Sequence, residues 1–285
     1  MSAQVGIPGV TTSAQADADL RSRGADYTPR MVARAVVEAL QSHVADDLHW
    51  YRDRPVSAAD PFRVLDVCAG AGVWASEFAR MWVQGLGLPR EHLCITAVEL
   101  AEEERPHLER WADVVHIGDV CEFIDRPRDA EEGPCDEFEL ALGNPDFALL
   151  RAPRLEDGEL DAEASLPVCL LWVARSVALM STQQAWTKDA PGVAVRRAYP
   201  HELTLDIPGA LRFRAKGARN PSTGKLYGAD QRSYSCTVWH RWADARYAET
   251  RLLPDMSSAD RGWTVRPGTE SPELARALGL VEVVR

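Results

Sequence analysis

Gly143-Asn144-Pro145-Asp146-Phe147 is the stretch of this chain richest in chemical potential. It follows Phe138-Glu139-Leu140-Ala141-Leu142, which reads as a short buried strand. Asn144 offers a carbonyl acceptor, the Pro145 carbonyl is a second, and proline has no N–H to compete. Two acceptors converging on one point suit an amino group, and Phe147 gives a face on which a planar group can stack. Taken alone, the stretch reads better as a turn: Asn-Pro initiates turns, and a Phe after it is often core.

Other chemistry-bearing residues recur at the ends of short apolar runs. Asp66 lies near the end of Phe62–Val67, just before Cys68-Ala69-Gly70-Ala71-Gly72. Glu99 closes Leu93–Val98, and Asp119 follows Val114–Ile117 and Gly118. A carboxylate closing a second strand can take both hydroxyls of a ribose, and one closing a third can accept from an exocyclic amine. Gly70-x-Gly72-x-x-Ala75 also matches a dinucleotide turn, a weak signal by itself. Asp66 opposes that reading, because a carboxylate there repels a pyrophosphate and suits a cationic amine.

The elements that position these residues follow from periodicity. Tyr27-Thr28-Pro29 opens a helix, with Thr28 as N-cap and Pro29 at the first helical position. Val32, Val36, Leu40 and Val44 give it one apolar stripe. Val73, Trp74, Phe78, Met81 and Trp82 give a second helix directly after the glycine turn, ending near Gly85 and Gly87. Pro106 delays or kinks a helix in the acidic segment beyond Glu99. Strands alternating with helices imply an α/β fold with a doubly wound, mostly parallel sheet covered on both faces. In such sheets the ligand site lies beyond the carboxyl ends of the strands. Asp66, Gly70, Gly72, Glu99, Asp119 and Asn144 therefore belong to one crevice.

The second half is less regular. Leu166–Met180 reads as one strongly apolar helix, and Gly192–Ala198 and Leu203–Ile207 as strands. Leu211–Arg214 and Ser233–Trp239 alternate and read as a late antiparallel hairpin around a basic loop, 215–232. A short helix near Pro272–Leu278 and a strand at Val281–Val284 close the tail. Residues 1–24 read as a poorly ordered arm, 25–285 as one domain, and 249–285 as its C-terminal extension.

Net charge is −11, from 32 basic and 43 acidic residues, which argues against coating nucleic acid by charge alone. Charge is unevenly spread: Glu99–Glu163 holds 21 acids against six arginines, and Pro191–His240 holds eight basic residues against three acids. The basic stretch could meet phosphate, or be a solvated face. The six scattered cysteines show no zinc spacing and read as reduced thiols of a cytoplasmic protein, Cys94, Cys169 and Cys236 inside apolar runs. No metal is expected. No apolar run reaches membrane-spanning length, and the N-terminus lacks the pattern of a secretory signal.

A ligand with an amino-acid ammonium, a ribose and an adenine would use all the strand ends, and S-adenosylmethionine is such a ligand. Asp66–Gly72, Ala97-Val98-Glu99, Gly118-Asp119 and Gly143–Phe147 resemble, in order, the motifs of S-adenosylmethionine-dependent amino-methyltransferases. The upstream Tyr27-Thr28-Pro29 makes the order resemble the gamma arrangement of DNA adenine-N6 methyltransferases, in small phage and bacterial members. The resemblance covers residues 25–150 and, more loosely, 219–239. It implies a class I methyltransferase (Rossmann-like) fold. It also implies that Tyr27, Thr28, Pro29, Asp66, Cys68, Ala69, Gly70, Gly72, Glu99, Leu100, Asp119, Val120 and Asn144 line the cofactor. Asn144, Pro145, Asp146 and Phe147 would form the catalytic stretch, with Phe147 stacking on a base turned out of its duplex.

Asp146 stands where the family has proline. It frees φ, restores an N–H and adds a charge beside the acceptors. That leaves open a cofactor-binding relative without catalysis, an RNA or protein amine as substrate, and, on the glycine pattern alone, a nicotinamide dehydrogenase. No separate target-recognition domain fits in the length. DNA recognition, preferred over RNA, would fall to segment 212–232 or to a protein partner.

Overall fold

β1 (Phe62–Val67) is the centre from which the sheet grows both ways. The computed structural model describes residues 28–51, 55–124, 137–146, 149–150, 152–183, 190–208, 211, 233–241 and 249–254. On one side of β1 lie β2 (Leu93–Glu99) and β3 (Val114–Ile117), both parallel to it. On the other lie β4 (Phe138–Gly143) and β5 (Ala174–Thr182), again parallel. β7 (Tyr234–His240) then runs antiparallel between β5 and β6 (Leu203–Ile207). β8 (Glu249–Leu252) adds a parallel edge to β6. Among the described residues the order is β3-β2-β1-β4-β5-β7-β6-β8. A parallel sheet that reverses direction of growth at β1/β4 and carries one late antiparallel strand is the class I methyltransferase architecture that the motif order implied.

Helices cover both faces. α1 (Arg30–Ala39) and α2 (Gln41–Asp46) pack beside α3 (Val73–Arg80) on the first face. Val32, Val36, Leu40 and Val44 are all buried there, as their spacing requires. Val73, Trp74, Phe78, Met81 and Trp82 meet them together with Phe62, Val64, Ile95, Leu140 and Leu142. α4 (Arg105–Leu108) is only one turn long, with Pro106 near its start. The second face holds α5 (Val120–Ile124), α6 (Leu166–Leu171) and Val195 of α7 (Ala190–Ala198) against Leu65, Val67, Val98, Ala141, Val177 and Leu179.

Several expected elements are different. Leu166–Met180 is not one helix: α6 stops at Leu171, and β5 begins at Ala174. β5 lies between β4 and β7 and is buried on both faces, so it shows no alternation to mark it as a strand. Gly192–Ala198 is helical, while Leu203–Ile207 is the strand expected. The late antiparallel hairpin is present as β6 and β7, and β7 also pairs antiparallel with β5; of the Leu211–Arg214 segment only Leu211 is described. Residues 212–214 lie outside the described residues, as do the basic loop, the terminal arm, the helix near Pro272 and the strand at Val281. Within the expected C-terminal extension, Glu249–Leu252 is part of the sheet.

Gly143, the last residue of β4, shows how closely β4 approaches β1. A Cβ built there would stand 2.2 Å from the Val67 carbonyl oxygen and 2.9 Å from Val67 Cγ2. The first obstacle is backbone inside a paired sheet, so it cannot swing aside. Gly143→Ala is expected to cost about 3 kcal/mol or more in urea unfolding, at the upper end of overpacking effects.

Candidate active site

Sheet register brings the strand ends level. Val67 pairs with Val98 and with Gly143, and Glu99 pairs with Ile117. Alternation then sorts the side chains. Phe62 and Val64 of β1 face the core beneath α1 and α3, as do Ile95 and Ala97 of β2 and Leu140 and Leu142 of β4. Two residues further along each chain stand Asp66, Glu99 and Asn144, on that same face at the carboxyl end of the sheet. Residues far apart in sequence thus stand level at one end of the sheet.

Between β1 and α3 the chain turns through backbone that side chains avoid. Gly70 has φ 53° and Gly72 φ 76°. Cys68 has φ 52°, the only non-glycine residue in this region of φ among the described residues. A non-glycine residue there stores strain of the kind that collects at ligand sites. A Cβ on Gly72 would also press on Leu108 Cδ2 at 3.3 Å. Gly72 sits at the N-cap of α3 and has no side chain to cap with. Asp66 does the capping from below: its Oδ2 accepts the Ala75 N–H at 3.0 Å. The carboxyl is wholly enclosed, and Oδ1 has no hydrogen-bond partner. It therefore acts on the glycine turn rather than from the open crevice.

Burial pushes the Asp66 carboxyl well above the ordinary carboxylate range; the Ala75 N–H draws it down, and the Glu99 charge adds to the rise. A carboxyl that holds its proton longer when folded gives stability that is full below its unfolded pKa. That stability is lost as pH rises through the folded value. Asp66→Asn keeps an acceptor for Ala75 and removes the titration. Relative to this variant, the wild type is expected to lose stability from about pH 4 upward. Urea unfolding of both proteins at several pH values measures that difference.

Glu99 is half-buried and bridges two strand ends. Its Oε2 accepts the Gly70 N–H at 2.7 Å and its Oε1 the Ala101 N–H at 3.0 Å. Each carboxylate oxygen keeps a further lone pair for a ligand hydroxyl. Leu100 beside it is 72% exposed, an apolar surface on the rim. Asp119 is exposed, and its Oδ1 accepts the Cys121 N–H at 2.7 Å at the start of α5, where Val120 is buried. Cys68 lies half-buried in the turn, and Ala69 is buried, its N–H bonded to Val98 O at 3.0 Å. Burial, then the charges of Glu99 and Asp66, push the Cys68 thiol up to about 12, so it is no nucleophile at neutral pH.

Asn144 is half-buried, Pro145 buried and Asp146 exposed. Asn144 Oδ1 is buried without a hydrogen-bond partner. Such an acceptor costs about 1–3 kcal/mol. Tyr27 and Phe147 lie outside the described residues.

Thr28 and Pro29 are buried at the head of α1, but the expected capping differs. Pro29 is the N-cap, and Thr28 makes no cap. Its Oγ1 instead accepts the indole N–H of Trp74 at 3.2 Å. A second tie holds α1 to α3. Arg30, Arg34 and Arg80 all donate to Glu77, which is fully buried. Burial raises the Glu77 carboxyl, but the hydrogen bonds from Arg34, Arg30 and Arg80 outweigh it and hold it below the usual value. Neither tie was expected from the sequence. The available signal was Arg30 and Arg34 one turn apart, with a lone Glu77 on the apolar face of α3.

Among the described residues no group of three or more His, Cys, Asp or Glu is arranged to hold a metal ion. Nor is any helix there long and apolar enough to cross a membrane.

Structural comparison finds similar chain courses in solved methyltransferases. A candidate class I S-adenosylmethionine-dependent methyltransferase from Listeria monocytogenes is 9% identical, with TM-score 0.48. The overlap covers 78% of this chain and 66% of that one. A candidate RNA methyltransferase from Pyrococcus horikoshii is 16% identical, with TM-score 0.36 over 80% of this chain and 84% of that one. Human methyltransferase-like protein 13 in complex with SAH is 14% identical, with TM-score 0.36 over 84% and 90%. All three scores are below 0.5, so the functional reading rests on the strand order and the site. The sequence matches no protein-family profile and no curated protein.

Proposed function

We propose that this chain is an S-adenosylmethionine-dependent methyltransferase acting on an exocyclic amino group of a nucleic-acid base, adenine N6 in DNA. The observation that carries the reading is the buried, unpartnered Asn144 Oδ1, on the face that also bears Asp66 and Glu99. The donor set suits this cofactor. Glu99 would take the ribose hydroxyls, Leu100 and Val120 would flank the adenine, and Asp119 would accept from its amine. The glycine turn and Thr28-Pro29 would hold the amino-acid end.

Bound there, S-adenosylmethionine supplies an electrophilic methyl group on a sulfonium. The chain's own contribution is position and charge. Asn144 Oδ1 and the Pro145 carbonyl take the two N–H bonds of the incoming amine. That draws the nitrogen toward tetrahedral geometry and aims its lone pair. No strong base is required: breaking the sulfur–methyl bond would leave a neutral thioether, and the methylated nitrogen, then cationic, would lose its proton to water.

The site opposes the nicotinamide reading. Pyrophosphate at a glycine turn needs free N–H groups at the helix N-terminus. Here Glu99 occupies the Gly70 N–H and Asp66 the Ala75 N–H. The Glu99 carboxylate in that place repels phosphate. The nucleic-acid part is supported by topology. Ile207 and Tyr234, which bracket basic segment 212–232, pair with each other, and Tyr234 pairs with Thr182. Since β4 and β5 are parallel, that places both flanks at the crevice end of the sheet.

Tritiated methyl transfer to unmodified DNA tests the substrate. Label on adenine N6 is expected. Label only on RNA or protein would make DNA the wrong substrate. A second reading, cofactor binding without catalysis, is favoured by Asp146, exposed where the family has proline. Binding of S-adenosylmethionine with no transfer to DNA, RNA or protein would select it.

A further inference from the structure

β8 ends the sheet with all its residues exposed, whereas at the opposite edge only Val114 of β3 is. Pairing with β6 uses one set of its backbone groups. The N–H groups of Glu249 and Leu253 reach Glu202 O and Asp206 O, both at 2.8 Å. Peptide groups alternate in direction along a strand, so those of Thr250 and Leu252 point away from β6. Among the described residues nothing takes them. The Leu252 side chain is 75% exposed beside this open edge, an arrangement that invites a further strand. Pro254 stands at the next outward position and has no N–H, so the open stretch is short.

We infer that β8 pairs antiparallel with β8 of a second copy of this chain, on a two-fold axis through Thr250. Charge and backbone direction together select this register. Glu249 and Arg251 share one face of the strand and hold each other, Nε to Oε1 at 2.7 Å and Nη2 to Oε2 at 2.9 Å. With Thr250 opposite its own copy, two main-chain hydrogen bonds form at the axis. Glu249 of each copy then faces Arg251 of the other. That facing pair is of the kind without hydrogen bonds, where side chains come closest. A two-fold axis through Arg251 would set Arg251 against itself. One through Leu252 would set the outward Thr250 against Pro254, which cannot donate. The two-fold pairing uses up the open edge of both copies, so it closes as a dimer. Few residues meet, so the dimer is weak and depends on concentration. Since β8 runs in the same direction as β1, the two crevices open at opposite ends of the joined sheet. None of this depends on the methyltransferase reading.

Sedimentation equilibrium of the full chain, at concentrations up to about 1 mM, tests the pairing. Wild type is expected to move from monomer toward dimer as concentration rises. Arg251→Glu makes both facing pairs like-charged and should raise the dissociation constant about tenfold. Glu249→Arg should do the same. Mixed together, these two variants should associate again, because each then faces the charge it lacks in its own copy. Thr250→Pro removes the N–H at the axis and none that β6 uses, and should abolish the dimer. Should Thr250→Pro not fold, the charge variants decide alone. A wild type that stays monomeric throughout, a dimer indifferent to the charge variants, or a mixture of the two that fails to associate would overturn the inference.

Discussion

Asn144→Ala is expected to lower methyl transfer about 10²- to 10³-fold, the usual effect of deleting one preorganised polar partner at a reacting centre. The amide does two things that alanine cannot. It accepts one N–H of the amine, and it fixes the direction of the lone pair together with the Pro145 carbonyl. Affinity for the cofactor should fall far less than the transfer rate, because Glu99 and the glycine turn remain. Folding should not suffer, since the variant removes a half-buried side chain whose oxygen has no partner. Single-turnover rates beside calorimetric affinities separate the two effects. Transfer undiminished in the variant would remove Asn144 from the acceptor site.

Glu77→Ala is expected to destabilise the protein by about 3–5 kcal/mol, the cost of breaking a buried ion pair by removing one partner. The carboxylate is fully buried, while the Arg30, Arg34 and Arg80 side chains stay partly exposed. Solvent screening of the three abandoned guanidinium groups puts the effect toward the lower end of that range. Glu77→Gln keeps the volume and one acceptor and should cost less. The pH dependence has a definite sign. A carboxyl held below its unfolded value contributes stability that is full above the unfolded pKa, about 4.3, and lost as pH falls through the folded value. The gap between wild type and Glu77→Ala in urea unfolding should therefore be widest at neutral pH and close in acid. Asp66 runs the other way, so Asp66→Asn and Glu77→Ala should move the stability profile in opposite senses. An unchanged gap at low pH would mean that Glu77 acts by packing and not by charge.

The parts legible in sequence are those set by local pattern. β1 to β4 are short apolar runs ended by Gly, Asp or Glu, and a parallel sheet puts its ligand beyond such ends. That was enough to gather Asp66, Glu99, Asp119 and Asn144. The register confirms the alignment of the strands that carry them. The parts missed depend on long-range partners. β5 is indistinguishable by period from the helix before it, because β4 and β7 cover its edges and both its faces are buried. β7 pairs with β5 and β6, and the β5 pairing is one no local rule supplies. Ala190–Ala198 is helical although Val193, Ala194 and Val195 would suit a strand, an override of local propensity by tertiary context.

The same division holds within the site. Glu99 was legible as a strand-end carboxylate, but not its hold on Gly70. Asp66 was legible as an acid near the turn, but not its enclosure beneath α3, which makes it a cap for Ala75. Thr28 looked like an N-cap by type and place. Its oxygen goes instead to Trp74, 46 residues away, a partner that no local rule supplies.

Calorimetric titration of the purified chain with S-adenosylmethionine tests the central claim most directly. Saturable one-to-one binding is expected, lost or strongly weakened by Glu99→Ala and weakened far less by Asn144→Ala. Absence of binding by the wild type would contradict it.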